Sequence, residues 1–458
     1  MTAIRPAAVA GMFYPADSVE ARRQVEAFLA GAAAPSPAAR PPKALIAPHA
    51  GWVYSGAVAA SAYALLRPLR GTIERVVLLG PSHRVAFRGL ALSGADEWAS
   101  PLGAVRLDRQ GAERLKTLPG VGVSDQAHAQ EHSLEVHIPF LQAVLGDFAL
   151  LPLVVGDAPP EMVADALDAI WGGPETLIVV STDLSHYLDY AACQAADRAT
   201  VAAIEGLDPA GIVRDGACGR VPVGGLLLAA RRRGLDIVTL DVRNSGDTAG
   251  PRDKVVGYGS WALFEPVSEE EAIRSVGRTL LDAAWASIRH GLADGAPPKA
   301  RVDDSAPEVL RRPGAVFVTL NRHGQLRGCI GSAVAWRPLA EDVVDNAFKA
   351  AFRDPRFPPL SQSELADLDL SLSVLTPPAP LRFKDEADLL AQLRVRVDGL
   401  IIEDGGHRAL FLPSVWEQLP DKRQFLAHLK AKAGMAPGHG SAGFRASVFQ
   451  AVEIGKDG

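Results

Sequence analysis

The chain has 458 residues, more than one hydrophobic core ordinarily serves, and its 48% hydrophobic and 22% charged residues describe a globular protein with material for two domains. A net charge of −6 with no long basic run argues against nucleic acid or an anionic membrane as partner. Cys193, Cys218 and Cys329 lie far apart, which argues against a disulfide framework or a structural zinc site; with no signal-like N-terminus and no run of about 18 apolar residues, a cytoplasmic protein is expected.

In chain order, Asp17-Ser18-Val19-Glu20 reads as a capping box opening a helix through about Leu29, followed by a Pro/Ala-rich connection over residues 32–42. Four short apolar runs, at 44–47, 76–79, 177–180 and 237–240, read as strands buried on both faces. Helices are expected after Ser55, around 134–145, over 160–170 and over 190–204. This alternation predicts an α/β domain with a largely parallel sheet over residues 1–265. Glu265-Pro266-Val267 breaks the pattern, and Ser268-Glu269-Glu270-Glu271 is a second capping box that starts a helix to about His290. Beyond Pro297-Pro298, residues 315–320, 321–325 and 326–331 read as strand, turn and strand of a β-hairpin. Strands at 368–375 and 395–403 and a helix at 422–433 complete an α+β domain over 268–458.

The chemistry concentrates where the four runs end. They lead to His49, to His83, to Asp183 and His186, and to Asp247. In open α/β sheets the loops leaving the carboxyl ends of the strands line the ligand crevice, so two or three imidazoles and a carboxylate could meet there. That donor set suits first-row transition metals, and two histidines with one carboxylate form the facial arrangement of non-haem iron(II) oxygenases. The plainer alternative is that any α/β protein carries histidines in such loops. Glu131-His132-Ser133-Leu134-Glu135-Val136-His137-Ile138-Pro139 adds acid and imidazole in one stretch. If it is helical, His132 and Glu135 share a face and could orient a ligand or a proton; a solvated helix start is the alternative. The stretch is not H-E-x-x-H, which disfavours a zincin protease.

Ala10-Gly11-Met12-Phe13-Tyr14-Pro15, the loop Pro48-His49-Ala50-Gly51-Trp52-Val53-Tyr54-Ser55-Gly56, Gly80-Pro81-Ser82-His83, the 131–137 stretch and Ser181-Thr182-Asp183-Leu184-Ser185-His186 together resemble the Memo family, also called AmmeMemoRadiSam system protein B. The resemblance spans residues 1–265. That family looks like class III extradiol ring-cleaving dioxygenases in fold, which implies a non-haem metal site at these loops. It implies His49 and His83 as metal-binding residues and His186 as a third pocket histidine and acid/base, and it puts Asp247 where animal members carry cysteine. Iron(II) held by His49, His83 and Asp247 is the implied centre, with zinc or copper as alternatives. His186, steered by Asp183 or Glu135, with His132 nearby, would move a proton.

The second half resembles the AMMECR family, AmmeMemoRadiSam system protein A, through Leu326-Arg327-Gly328-Cys329-Ile330-Gly331, Arg353-Asp354-Pro355-Arg356-Phe357-Pro358-Pro359-Leu360, and Phe425-Leu426-Ala427-His428-Leu429 with Lys432-Ala433-Gly434. A candidate second site is Arg327, Cys329 and Arg356: a thiol nucleophile with anion-binding guanidiniums, or else a small buried hydrophobe and solvated arginines. The family names imply a separate radical S-adenosylmethionine partner, because this chain has no C-x-x-x-C-x-x-C to hold such a cluster. The expected function is a metal-dependent, dioxygenase-like oxidoreductase acting on a small molecule or peptide. A zinc-dependent hydrolase and a peptide-binding module with a vestigial pocket are the alternatives.

Overall fold

A computed structural model describes residues 2–32, 40–298, 303, 306–441 and 443–455, and most of the connection expected at 32–42 lies outside them. The chain divides into two compact units, Met1–Pro266 and Val267–Gly458.

The first unit is built on a mixed sheet whose centre is parallel: Ala44–Ala47, Thr176–Ser181, Arg75–Pro81 and Ala149–Val155 lie side by side in that order. Every residue of the first two of these strands is buried, as continuous apolar runs require when helices cover both faces. Side-chain alternation divides the strands between two cores. Leu45, Val76 and Leu78 pack with helices Ser18–Gly31, Trp52–Tyr63 and Ile138–Leu145, whereas Ile46, Val77 and Leu79 pack with Pro160–Ile170 and Arg220–Arg233. Ala47 stands opposite Ser181 in the register, so the loops that follow these two strands start level with each other.

Two expectations for this unit need correction. The fourth apolar run is no buried parallel strand: Asp236–Asn244 is a half-exposed outer strand, antiparallel to Val255–Phe264, which separates it from Ala44–Ala47. Helix Arg220–Arg233 was also absent from the sequence reading, because Pro222, Gly224 and Gly225 resemble a break. Those small residues are needed for packing. A Cβ on Gly225 would lie 2.3 Å from that of Val163, so only glycine lets this helix approach Pro160–Ile170.

The second unit has two sheets. Pro313–Arg322, Gln325–Gly331, Leu368–Leu375 and Ala451–Ile454 form one, backed by helices Gly277–Asp294 and Leu339–Phe352. Ala379–Pro380, Arg445–Phe449, Gly399–Asp404 and His407–Phe411 form the other, packed with helix Lys422–Lys432. The hairpin turns at His323-Gly324, both with positive φ, as a two-residue turn between right-twisted strands requires. The helix expected over residues 268–290 is divided: Glu269–Ser275 ends at Val276 and Gly277–Asp294 follows. No helix among the described residues is long and apolar enough to cross a membrane.

Candidate metal centre

His49 leaves strand Ala44–Ala47 and His83 leaves Arg75–Pro81, two loops at the carboxyl end of the parallel strands. His132 reaches the same point from the segment between Asp125–Ala129 and the single turn Glu135–His137. One ligand atom from each of these imidazoles lies within 4.8 Å of the others. The ring centroids are 5.1 Å apart for His49 and His83, 5.4 Å for His49 and His132, and 4.7 Å for His83 and His132. Among the described residues this is the one cluster of histidine, cysteine and carboxylate groups with that spacing.

Glu131 holds the ring of His83 and the backbone at His132. Its Oε1 accepts from His83 Nδ1 at 2.9 Å and from the His132 and Ser133 backbone N–H groups at 3.0 Å, while Oε2 accepts from the His83 N–H at 2.6 Å. Burial pushes the Glu131 carboxyl up, but the hydrogen bonds from His83 and Ser133 outweigh it and hold the pKa at about 2. A carboxylate that receives Nδ1–H leaves Nε2 of His83 with its lone pair outward, as a metal ligand needs. His132 Nδ1 is buried and makes no hydrogen bond, its nearest polar neighbour being Glu131 Oε1 at 3.3 Å.

The protonation states fit a ligand set. Burial, reinforced by the neighbouring imidazoles, drives His49 well below the ordinary histidine value, and burial with His83 beside it brings His132 to about 4. Both rings are therefore neutral near pH 7, the form that binds metal. Burial pushes Asp183 up to about 7, although its Oδ1 accepts the His49 N–H at 2.8 Å. Its Oδ2 lies 3.9 Å from His49 Nε2, so this contact joins a neutral imidazole and a carboxyl that holds a proton near neutrality.

His186, the first residue of strand His186–Leu188, lies close enough for His83 to lower its pKa further after burial has done so, and it stands outside the trihistidine set. Phe13 covers the other side, its ring 4.6 Å from that of His132.

Two of the residues expected at this site serve other purposes. Asp247 closes a capping box, its carboxylate accepting the Asn244 N–H at 3.1 Å and the Tyr190 hydroxyl at 2.5 Å. It sits at the end of the outer strand and does not join His49 and His83, whose third companion is His132. Glu135 is fully buried and turned towards the N-terminal segment. It accepts from Arg5 at 2.6 Å, Ala8 N at 2.8 Å, Val9 N at 2.9 Å and the Tyr14 hydroxyl at 2.7 Å, and so anchors that segment to the core.

Glu131 and Cys218 are the participants that sequence reading passed over. Cys218 Sγ lies 3.4 Å from His49 Nε2 and accepts the Asp183 N–H at 3.3 Å. The next residue must be glycine, because a Cβ on Gly219 would stand 2.5 Å from the Ser181 carbonyl oxygen. The available signal was Ala217-Cys218-Gly219 at the mouth of the unrecognised helix. Burial, with Asp183 beside it, pushes the thiol up to about 12.

In the second unit the expected groups are mutually engaged. Arg327 donates to both carboxylate oxygens of Glu364, at 2.7 and 3.2 Å, and to the Pro358 carbonyl. Asp354 accepts the Cys329 N–H at 2.9 Å, and Arg356 donates to the Cys329 carbonyl at 3.1 Å and to Asp354 at 2.7 Å. The Asp354–Arg356 pair thus fills the open edge of strand Gln325–Gly331 as a neighbouring strand would. Both guanidiniums are thus paired with carboxylates, Arg327 keeping a buried Nη1 without a hydrogen-bond partner and Arg356 a half-exposed side chain.

Residues 5–262 match the family profile described as Memo-like protein, and residues 281–454 match that described as AMMECR1. A MEMO1 family protein of Sulfolobus acidocaldarius is 34% identical over 277 residues, covering 56% of this chain and 97% of the relative. A protein of Methanothermobacter thermautotrophicus is 42% identical over 175 residues, covering 38% of this chain and 88% of its own. Among solved structures, an uncharacterised protein of Pyrococcus horikoshii is similar at 33% identity and a TM-score of 0.34, covering 39% of this chain and 90% of that one.

Proposed function

The chain belongs to the Memo-like protein family, with an AMMECR1 domain fused behind it, and on that premise we propose that its first domain is a metal-dependent oxidoreductase whose ion is held by His49, His83 and His132. The observation that carries this reading is the convergence of three imidazoles, with the buried carboxylate of Glu131 holding the ring of His83 and the backbone at His132. The family's likeness to extradiol dioxygenases favours iron(II), which would supply oxygen chemistry when bound.

The chain's own residues then have distinct tasks. Three imidazoles offer nitrogen donors, and Glu131 fixes the ring of His83. Asp183 holds a proton near neutral pH beside His49, and His186 receives or delivers one at the edge of the pocket. Phe13 sets an apolar ring 4.6 Å from that of His132. The substrate is a small molecule or a peptide, and the name of the system to which both domains belong supports a separate radical S-adenosylmethionine protein as partner.

One observation favours a second reading. With His132 in the place expected for Asp247, the donor set is three histidines, which also suits zinc with an activated water and hence hydrolysis.

Anaerobic purification, elemental analysis and oxygen-consumption assays against catechol-like and peptide substrates separate the two. Iron with substrate-dependent oxygen uptake supports the oxidoreductase; tightly held zinc and hydrolysis without oxygen uptake replaces it. In the active form, His186→Ala is expected to lower turnover by about 10²- to 10⁴-fold, as general acid/base loss does, while metal content stays at the wild-type level.

A further inference from the structure

Behind the trihistidine cluster a line of polar groups runs into the core. His49 Nδ1 lies 2.6 Å from Ser181 Oγ, Ser181 Oγ lies 2.8 Å from His137 Nε2, and His137 Nδ1 lies 2.8 Å from the Tyr63 hydroxyl. None of the four residues is more than 1% exposed. Apolar residues of similar size would fill this space without any need for partners, and Tyr63 already stacks on Phe140 at 5.3 Å. The line therefore calls for a reason beyond packing.

Counting hydrogens supplies one. A serine hydroxyl has a single hydrogen, so Ser181 can donate to only one of its two imidazole neighbours, and any other bond it makes must be one it accepts. If Ser181 donates to His137, His49 carries its hydrogen on Nδ1, and His137 passes its own Nδ1–H to the Tyr63 oxygen. If both imidazoles donate to Ser181, His49 again carries Nδ1–H. Only donation from Ser181 to His49 would put the hydrogen on His49 Nε2, where it would block a ligand bond. The Cys218 thiol, 3.4 Å from His49 Nε2, can donate to that nitrogen when it is free of hydrogen or accept from it when it is not, its own hydrogen then going to the Asp183 carbonyl at 3.6 Å, so the tautomer is decided on the Ser181 side.

We propose that Ser181, His137 and Tyr63 are positioning residues that hold His49 as its Nδ1–H tautomer and so present Nε2 to a bound metal ion. This rests on the trihistidine reading of the site and adds the groups behind it. His83 obtains the same tautomer by the shorter route of a carboxylate, Glu131. His49 cannot, because Nδ1 faces the end of a buried strand, where Ser181 follows Val180 in the sheet.

The test uses the full chain, metal-free and labelled with ¹⁵N-histidine. Long-range proton–nitrogen correlation reports which ring nitrogen of His49 carries hydrogen, with the signal assigned by its loss in His49→Ala. Nδ1–H is expected in the wild type. Ser181→Ala is expected to give a tautomer mixture and to weaken cobalt(II) binding, followed by visible absorption, by about 10- to 100-fold. Ser181→Thr, which keeps a hydroxyl, should recover both readings, and Tyr63→Phe should shift both in the direction of Ser181→Ala by less.

Hydrogen on Nε2 of wild-type His49 overturns the proposal, as does a Ser181→Ala protein with unchanged tautomer and affinity. Should circular dichroism show that Ser181→Ala does not fold, Tyr63→Phe decides in its place by the same two readings. A wild-type chain that takes up no cobalt(II) defeats the metal-centre reading, while the tautomer, measured without metal, still decides the relay.

Discussion

Glu131 does more for the candidate centre than any single imidazole. One fully buried carboxylate receives the His83 ring, the His83 backbone and the backbone at His132, so both ring orientation and chain path depend on it. Glu131→Gln replaces one acceptor oxygen with an amide that donates, which leaves a His83 donor unmatched. Affinity for zinc or cobalt(II) should fall by about 10- to 100-fold, the usual loss when a carboxylate behind a metal-binding histidine is removed. Asp247→Ala should leave that affinity at the wild-type value, because Asp247 is occupied with Asn244 and Tyr190. Competition titration against a chromophoric chelator checks both, and a large loss in Asp247→Ala would restore that residue to the ligand set. His49 and His83 were legible in the sequence because each directly follows a continuous apolar run. His132 stood in view inside its acidic stretch, but its partner was misassigned: spacing suggested Glu135 on a helical face, whereas the chain takes only a single tight turn there and Glu135 faces Arg5.

At the scale of elements, what could be read was whatever local pattern dictates: three of the four central strands, with Ala149–Val155 not among them, the capped helices at Ser18 and Glu269, and the hairpin turn. What could not be read depended on contacts with distant chain. The strand Asp236–Asn244 has the β-branched composition of a buried strand yet lies outside Val255–Phe264, and pairing order is not written in composition. Helix Arg220–Arg233 carries glycines that look like breaks until Val163 is placed against them. The same close approach governs the second unit. A Cβ on Gly328 would lie 2.2 Å from the Ala350 carbonyl oxygen, so the hairpin strand and helix Leu339–Phe352 meet backbone to backbone. Gly328→Ala should destabilise this unit by about 1–3 kcal/mol, because neither backbone can yield as a side chain would. Denaturant unfolding followed at this unit's transition measures it, and a neutral result would mean that the helix shifts freely.

For the whole molecule, acid should affect the two units unequally. His49, His128 and His137 are buried and His132 is partly buried; all four belong to the first unit and have lowered pKa, burial being the main cause in each. The sign follows from proton linkage. Between the ordinary histidine value near 6.5 and the folded values of about 4 for His128 and His132 and about 3 for His137, the unfolded chain binds protons that the folded chain refuses. The histidine contribution is therefore complete above about pH 7 and falls as the pH drops through 6.5 towards 4, and Asp183, raised to about 7, offsets part of that fall because its folded form takes up a proton the unfolded chain does not. Each such histidine can contribute up to about 1.4 kcal/mol per pH unit, so even with compensation the first unit's melting temperature should drop by at least about 5 °C between pH 7 and pH 5. Added zinc should raise that melting temperature at pH 7 and still do so at pH 5, because His49 and His132 remain neutral in the folded chain down to about pH 4. Scanning calorimetry of the full chain across this range, with transitions assigned by Gly328→Ala in the second unit, provides the check. A first-unit transition that stays level from pH 7 to pH 5 would show that these imidazoles are not buried in their neutral form.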